Sequence, residues 1–440
     1  MRENTDITRR NFIGTMAAAT ALVACAKTKK EIVVPPLLDT APDGPVLKAG
    51  LIGCGGRGTG AALDFLKAGP NLQVVALADV FQDRVDSARA SILKDAGQEV
   101  ANGRCYVGFD AYKKVIDSGV DIVLIATPPH FRPAHFAAAV DAKKHVFMEK
   151  PVAVDPVGAR SIMDTADRAE AFGLKIGTGT QRRHQREYVE TYKRIANGAI
   201  GRIVAARCYW NQSQLWYRQR QTGWSDMEWM IRDWVNWCWL SGDHIVEQHV
   251  HNLDVIHWFT GMHPVKAVGF GARMRRVTGD QYDFFSVDFE MPDGMHVHSM
   301  CRQIDGCVEN VSEFIVGTKG SSNCSNTIFK QDGSVAWKYG EPKQEDEKAS
   351  EEEEKKRISP YVQEHIDLVT AIRNGIPMNE AKNTAISTMA AIMGRISAYT
   401  GKEVTWDEMM ASDFRLGPTE YSMGRVPMKV QIPVPGEGKV

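Results

Sequence analysis

The chain has 440 residues, more than one ordinary domain needs, and its 43% hydrophobic and 24% charged content is that of a globular protein with ample core material. Lys and Arg number 53 against 54 Asp and Glu, which leaves no basic footprint for nucleic acid and excludes that class. No run of about eighteen apolar residues occurs, so a spanning helix in the mature chain is excluded as well.

Taken in chain order, Thr8-Arg9-Arg10-Asn11-Phe12-Ile13 precedes a short apolar stretch from Gly14 to Ala24. That is the charged and apolar layout of a signal peptide, and the adjacent arginines resemble a twin-arginine export signal. Leu22-Val23-Ala24-Cys25 resembles a lipobox, with Cys25 the lipidated residue. The expectation is an exported protein at the periplasm or cell envelope, touching the membrane only through that lipid. Residues 26–45 are rich in Lys and Pro with no apolar periodicity and read as an extended tether. Seven cysteines then remain, an odd and scattered set that is no disulfide framework; Cys301 and Cys307 are expected to be free thiols.

From residue 46 the pattern alternates. Val46–Ile52, Leu72–Ala78, Asp121–Ala126 and His145–Met148 read as strands, with helices over Thr59–Lys67, Phe81–Leu93 and Pro133–Ala142 between them. Strands continuous in Val, Leu, Ile and Ala, each followed by a helix, predict a parallel doubly wound sheet over 46–172. Beyond Phe172 the rhythm changes. Ile203–Tyr209, Val265–Arg273, Asp283–Glu290, His296–Gln303 and Ser312–Val316 are closely spaced and β-rich, which suggests an antiparallel sheet in a second domain over 173–440. Glu345–Lys356 is acidic and reads as a solvated loop, and Tyr361–Asn374 and Ala381–Tyr399 as amphipathic helices.

Gly53-Cys54-Gly55-Gly56-Arg57-Gly58 satisfies G-x-G-x-x-G between the first strand and the first helix. There Gly53 makes the tight turn, Gly55 lets the backbone approach a pyrophosphate, and Gly58 allows close helix packing, while the helix N-terminus offers free N–H groups. Asp79 follows the second strand, 26 positions after Gly53. A carboxylate there accepts from a ribose diol and repels a 2′-phosphate, which favours NAD over NADP.

Two further motifs stand at strand ends, Ala126-Thr127-Pro128-Pro129-His130 and Glu149-Lys150-Pro151. With the glycine loop they resemble the glucose–fructose oxidoreductase / inositol dehydrogenase (Gfo/Idh/MocA) family over about residues 46–410. The resemblance implies an α/β fold, an N-terminal Rossmann doubly wound parallel sheet plus a C-terminal α+β domain with a large, mainly antiparallel open sheet. It places Gly53, Gly55, Gly56, Arg57, Gly58, Asp79, Thr127, Pro128, His130, Glu149 and Lys150 with the cofactor. It also puts Lys150 beside the nicotinamide, His251 in the family's histidine place, and Glu247 where the family carries aspartate. The longer Glu247, and His249 where a small residue is usual, depart from the pattern and put simple inositol chemistry in question.

The residues make chemical sense without the family. Oxidising a secondary alcohol needs a base for the hydroxyl proton, and His251 titrates near neutrality. Glu247 stands four positions earlier, on the same face if the helix is continuous, and Lys150 can hydrogen-bond the developing alkoxide. His244, Glu247, His249 and His251 are dense enough to raise a metal site, but they lack zincin spacing and no metal is expected. Seven of the ten tryptophans lie between positions 210 and 239. Trp210 and Trp234 are candidates to stack on a sugar, the bland alternative being core packing. Arg182 and Arg183 follow a strand at 175–179 and are candidate substrate ligands, with Arg232 and Asp233 weaker ones.

The expectation is an NAD-dependent oxidoreductase acting on a ring hydroxyl of a sugar or glycoside, as a homo-oligomer with its cofactor tightly held. An NAD-dependent glycosidase working by transient ring oxidation is the alternative, although the Tyr-Pro-Thr-His-type signature of such relatives is missing. A non-enzymatic sugar-binding lipoprotein is the second alternative.

Overall fold

Six strands of nearly unbroken apolar sequence build the first sheet: β1 (Leu47–Ile52), β2 (Leu72–Asp79), β3 (Cys105–Val107), β4 (Ile122–Ile125), β5 (His145–Met148) and β6 (Ile176–Thr178). All pair in parallel, in the order 3-2-1-4-5-6. Helices α1 (Gly56–Lys67), α2 (Gln82–Ala96), α3 (Ala111–Ile116), α4 (Arg132–Asp141) and α5 (Pro156–Ala171) connect them. With both faces covered, a strand such as β4, Ile-Val-Leu-Ile, is buried at every position. The strand order reverses between β1 and β4, which opens a crevice at their carboxyl ends. The computed structural model describes residues 34–340, 358–427 and 431–437. The expected export signal, Cys25, the first part of the tether and the acidic run Glu345–Lys356 lie outside these residues.

The sheet does not close at residue 172, where the sequence reading ended the first domain. Gly173 stops α5 in the left-handed region (φ 70), and β6 then pairs with β5 through Val146, Phe147 and Met148.

The second sheet is assembled from β7 (Ile203–Gln212), β8 (Lys266–Ala272), β9 (Phe284–Glu290), β10 (His296–Gln303), β11 (Asn310–Gly317), β12 (Gly320–Ser322), β13 (Thr327–Lys330), β14 (Val335–Lys338) and β15 (Val404–Thr405). Their order is 14-13-12-11-7-10-9-8-15; β7 and β10 run parallel and the other neighbours antiparallel. Phe285, Val287 and Phe289 of β9 are buried in alternation, the period of a sheet with one covered face. Besides two single turns at Cys238–Ser241 and His244–Glu247, the described helices of this half are α6 (Arg186–Ala196), α7 (Asp226–Arg232), α8 (Val250–Thr260), α9 (Pro360–Asn374), α10 (Ala381–Thr400) and α11 (Trp406–Ala411).

Two C-terminal helices return to the first sheet. Met389, Ile392 and Met393 of α10 share one apolar cluster with Ile162 of α5 and with Val287 and Phe289 of β9. Ile366, Leu368 and Val369 of α9 pack with Phe65 of α1 and Leu77 of β2. The expected tether is fastened over its later half, because α9 supplies partners for backbone groups that no sheet satisfies. Leu37 N–H donates to Asp367 (3.2 Å), Gln363 donates to Leu38 O (3.0 Å), Arg373 donates to Pro45 O (3.2 Å), and Ala41 is buried. The spacer reading therefore concerns residues 26–33, outside the described part. Cys301 and Cys307 are free, as are the other described cysteines.

Candidate active site

The glycine loop is shaped by three separate demands. Gly53 has φ +96, and a Cβ there would stand 2.6 Å from Thr127 N, so β1 lies hard against the chain leaving β4. A Cβ on Gly58 would stand 1.8 Å from Gly53 O, so α1 starts where only glycine allows it. Around Gly55 and Gly56 nothing lies within 4 Å of such an atom, so bare backbone faces open space. The first turn of α1 carries no acidic side chain, and its N–H groups remain available to an anion.

That space is a cavity of about 420 Å³, within the range of small-molecule sites, whose walls include Gly55, Gly56, Asp79, Thr127 and Pro128. Asp79 accepts N–H bonds from Cys54 (2.7 Å) and Phe81 (3.1 Å), which fix its carboxylate in the wall. Burial raises its pKa against the pull of those amides, and a carboxylate has lone pairs left for two ribose hydroxyls. Open glycine backbone, an unopposed helix N-terminus and an oriented acid suit a dinucleotide. Arg57 also lines the cavity, but its guanidinium reaches Glu149 (2.5 Å) and Asp64 (3.2 Å) and ties the glycine loop to the Glu-Lys-Pro turn.

Not every residue expected at the cofactor faces this cavity. The His130 ring turns away to share a hydrogen bond with Tyr421 (2.7 Å) and to meet Trp239 edge-on, and burial lowers its pKa to about 4. Phe131 and His135, one and five positions on, take the wall instead. Glu149 and Lys150 lie beyond the cavity wall, pinned from behind by the buried Arg132, which donates to Glu149 O (2.9 Å) and Pro151 O.

Lys150 is the hub of a second, drier corner. Its Nζ donates to the backbone O of Glu247 (2.6 Å) and to Glu247 Oε1 (3.2 Å), both side chains being about nine-tenths buried. An ammonium has three N–H donors, so one is left. Glu247 does not share a helix with His251. It ends the turn His244–Glu247, Gln248 breaks the run, and α8 begins at Val250. The carboxylate therefore serves Lys150 and Gln248. His251 is buried and stacks on Trp210 (centroids 5.6 Å, planes 22° apart). Burial chiefly, with the charges of Lys150 and Arg182, holds its pKa well below the usual histidine range, so the ring is neutral.

The candidate metal cluster is dispersed. His244 bonds Asp243 (2.9 Å), and His249 bonds Ser299 (2.6 Å) and approaches Cys208 Sγ (3.7 Å). Among the described residues no group of three ligating side chains converges.

The substrate candidates separate as well. Arg182 sits over the Trp210 ring (5.7 Å) and is paired with Glu313. Glu313 is a buried acid on β11 that also accepts from Tyr188 (3.0 Å) and Asn252 (2.6 Å). Arg183 is taken by a two-pronged pair with Asp254 (2.8 and 2.9 Å) that fastens the loop to α8, and is structural. Trp234 stands in the cofactor cavity with Trp216, Arg218 and Arg232, not beside Trp210. Trp237 and Trp239 are core, packed with Met227, Met230 and Phe81. Sequence reasoning passed over Glu313 and Arg132; the one usable signal was a charged residue at an inward position of an apolar strand, Ser312-Glu313-Phe314-Ile315.

Comparison with known proteins agrees with the dinucleotide-binding fold. Residues 47–177 match a family model described as the oxidoreductase family, NAD-binding Rossmann fold, and residues 188–323 match the GFO/IDH/MocA C-terminal domain. An inositol 2-dehydrogenase/D-chiro-inositol 3-dehydrogenase of Lactiplantibacillus plantarum is 26% identical over 214 residues, 48% of this chain and 52% of that protein. A glycosyl hydrolase family 109 protein of Porphyromonas gingivalis is 28% identical over 193 residues, 40% of this chain and 39% of its own length. The matched stretches thus span about half or less of these relatives. Scyllo-inositol dehydrogenase of Lactobacillus casei, solved with NAD(H) and scyllo-inositol, shares the fold with a TM-score of 0.60 at 20% identity, covering 83% of this chain and all (100%) of that one.

Proposed function

The chain belongs to the Gfo/Idh/MocA oxidoreductase family, and on that premise we propose that it is an NAD-dependent dehydrogenase oxidising a ring hydroxyl of a sugar, polyol or glycoside. One observation carries the proposal: just past the carboxyl end of β5, the ammonium of Lys150 is held by Glu247 through only two of its three N–H donors. His251, close enough in the fold for that charge to be felt, is kept neutral chiefly by burial. NAD held along the glycine loop supplies the hydride acceptor. The protein's own part is proton handling and orientation. His251 accepts the hydroxyl proton at a ring nitrogen, and the free N–H of Lys150 hydrogen-bonds the oxygen as it becomes alkoxide and then carbonyl. Glu247 keeps the ammonium aimed and electrically balanced, and Trp210, stacked on His251 and under Arg182, fixes the imidazole. Asp79 in the cavity wall supports NAD over its 2′-phosphorylated form.

The test is a screen of free sugars, polyols and glycosides for absorbance at the reduced nicotinamide band, with Lys150→Ala as control. A Lys150→Ala protein with undiminished turnover would return the chain to the sugar-binding reading. The family 109 match favours a second reading, NAD-dependent glycoside cleavage by transient oxidation, elimination and re-reduction. Product analysis separates the two: a stable keto product supports the dehydrogenase, free monosaccharide without net NADH the glycosidase.

Two expectations from the sequence stand as part of this proposal. Arg9-Arg10 and Leu22–Cys25 support twin-arginine export and lipidation at Cys25, and Cys25→Ser is expected to release the protein from the membrane fraction. The outer face of the second sheet exposes Val268 and Phe270 (53% and 65%), an apolar pair on β8 that supports a homo-oligomer.

A further inference from the structure

We propose that the segment 213–237, with the C-terminal stretch 421–426 behind it, is a clasp that makes NAD a resident cofactor and not a dissociating co-substrate. The inference rests on the reading of the cavity as the NAD site, and its observations are independent of the catalytic corner. The cavity is not walled by the first domain alone: Trp216, Arg218 and Trp234 of the segment line it together with the glycine loop. Trp216 and Trp234 meet edge-to-face (6.2 Å) and brace each other there.

The segment is then bolted across the opening. Arg232, at the end of α7, donates from both terminal nitrogens to Asp83 in the first turn of α2 (3.1 and 3.0 Å). Its guanidinium lies 3.9 Å from the centroid of Phe81, itself part of the cavity wall. Glu228, one turn earlier on α7, fixes the same guanidinium at Nε (3.0 Å). A two-pronged pair with a stacked aromatic is the geometry in which arginine gives most for its ordering.

Behind the bolt, Met227 N–H donates to Gly424 O (3.1 Å) and Val426 N–H to Asp226 (3.3 Å), so the C-terminal stretch holds the start of α7. The same stretch grips the other side, where Tyr421 bonds His130 and stacks on Phe109, a further wall residue. A dinucleotide lying between the two walls leaves only when the Arg232–Asp83 bridge opens.

The test uses the full chain as purified from cells. After gel filtration the protein is denatured and its nicotinamide quantified by mass spectrometry, and the intact protein is separately mixed with isotope-labelled NAD to time exchange. The wild type is expected to carry close to one NAD per chain and to exchange slowly. Arg232→Ala and Asp83→Asn are expected to exchange about tenfold faster or more. Asp83 is exposed (60% for the side chain), so its variant keeps the test alive if Arg232→Ala does not fold. A wild type that exchanges within mixing time, or two variants that exchange at the wild-type rate, overturns the clasp. A wild type that purifies empty but binds added NAD overturns the clasp and leaves the NAD site standing. A chain that binds no NAD at any concentration overturns the NAD site itself.

Discussion

The cofactor cleft and the Lys150 corner lie at neighbouring strand ends yet work by different physics. In the cleft the pyrophosphate would meet bare backbone, where side chains matter by being absent, as at Gly53, Gly55 and Gly58, and Asp79 is the one acid among the described residues of the wall. In the corner every working group is a buried side chain with a charged partner or neighbour: Glu247 pairs with Lys150, Glu313 pairs with Arg182, and burial chiefly, helped by the charges of Lys150 and Arg182, keeps His251 neutral. A backbone site is insensitive to pH and unforgiving of added atoms. A site of coupled charges tolerates small changes of shape and fails when one charge is removed.

That contrast can be broken in graded steps. Lys150→Ala is expected to lower kcat about a thousandfold while bound nicotinamide stays near the wild-type level, because the residue lies outside the cavity wall; loss of cofactor along with activity would erase the distinction between the regions. His251→Ala is expected to lower kcat about a hundredfold. The wild-type kcat/KM should show no acid limb near 6.5, the ordinary histidine value, because the folded ring stays neutral well below it; a limb at that value in a steady-state pH profile would refute the electrostatic account. Gly58→Ala is expected to cost about 2 kcal/mol in thermal or urea unfolding and to weaken NAD binding, since its methyl group would stand on Gly53 O. Asp79→Asn, which removes charge but keeps shape, is expected to narrow the preference for NAD over NADP about tenfold in a competition assay.

Acid stability sharpens the same comparison outside the site. His130, His135 and His249 are held neutral chiefly by burial, with pKa values lowered to about 4, 3 and 3 from 6.5. The unfolded chain binds more protons than the folded one between those values and 6.5. Stability is therefore full above about pH 6.5 and declines as pH falls through that window. His184 has the opposite sign: clamped between Asp367 (2.7 Å) and Glu380 (3.0 Å), its pKa is raised well above 6.5, so its contribution is full below that value and is lost only as pH rises through the higher one. Replacing His249 by Asn should flatten part of the acid decline in a melting series, and replacing His184 should not.

The sequence by itself determined what is local. A strand, a glycine turn and a helix that together make an anion site occupy Leu47–Lys67 without interruption, and the parallel doubly wound class follows from alternating apolar segments and helices. The two late helices α9 and α10 were legible as helices, and where they pack was left to the fold. Only the tertiary structure decided what depends on distant partners. Glu247 and His251 look like one helical face until Gln248 breaks the run and sends the carboxylate to Lys150. Trp234 and Trp210 look like one aromatic cluster until the segment between them carries Trp234 to the wall of the glycine-loop cavity and leaves Trp210 on His251. Arg182 and Arg183 are adjacent and chemically equal in sequence, yet Glu313 and Asp254 give them separate duties. Periodicity fixes which way a backbone runs; the state and direction of a buried charge are fixed by whichever opposite charge the fold brings to it.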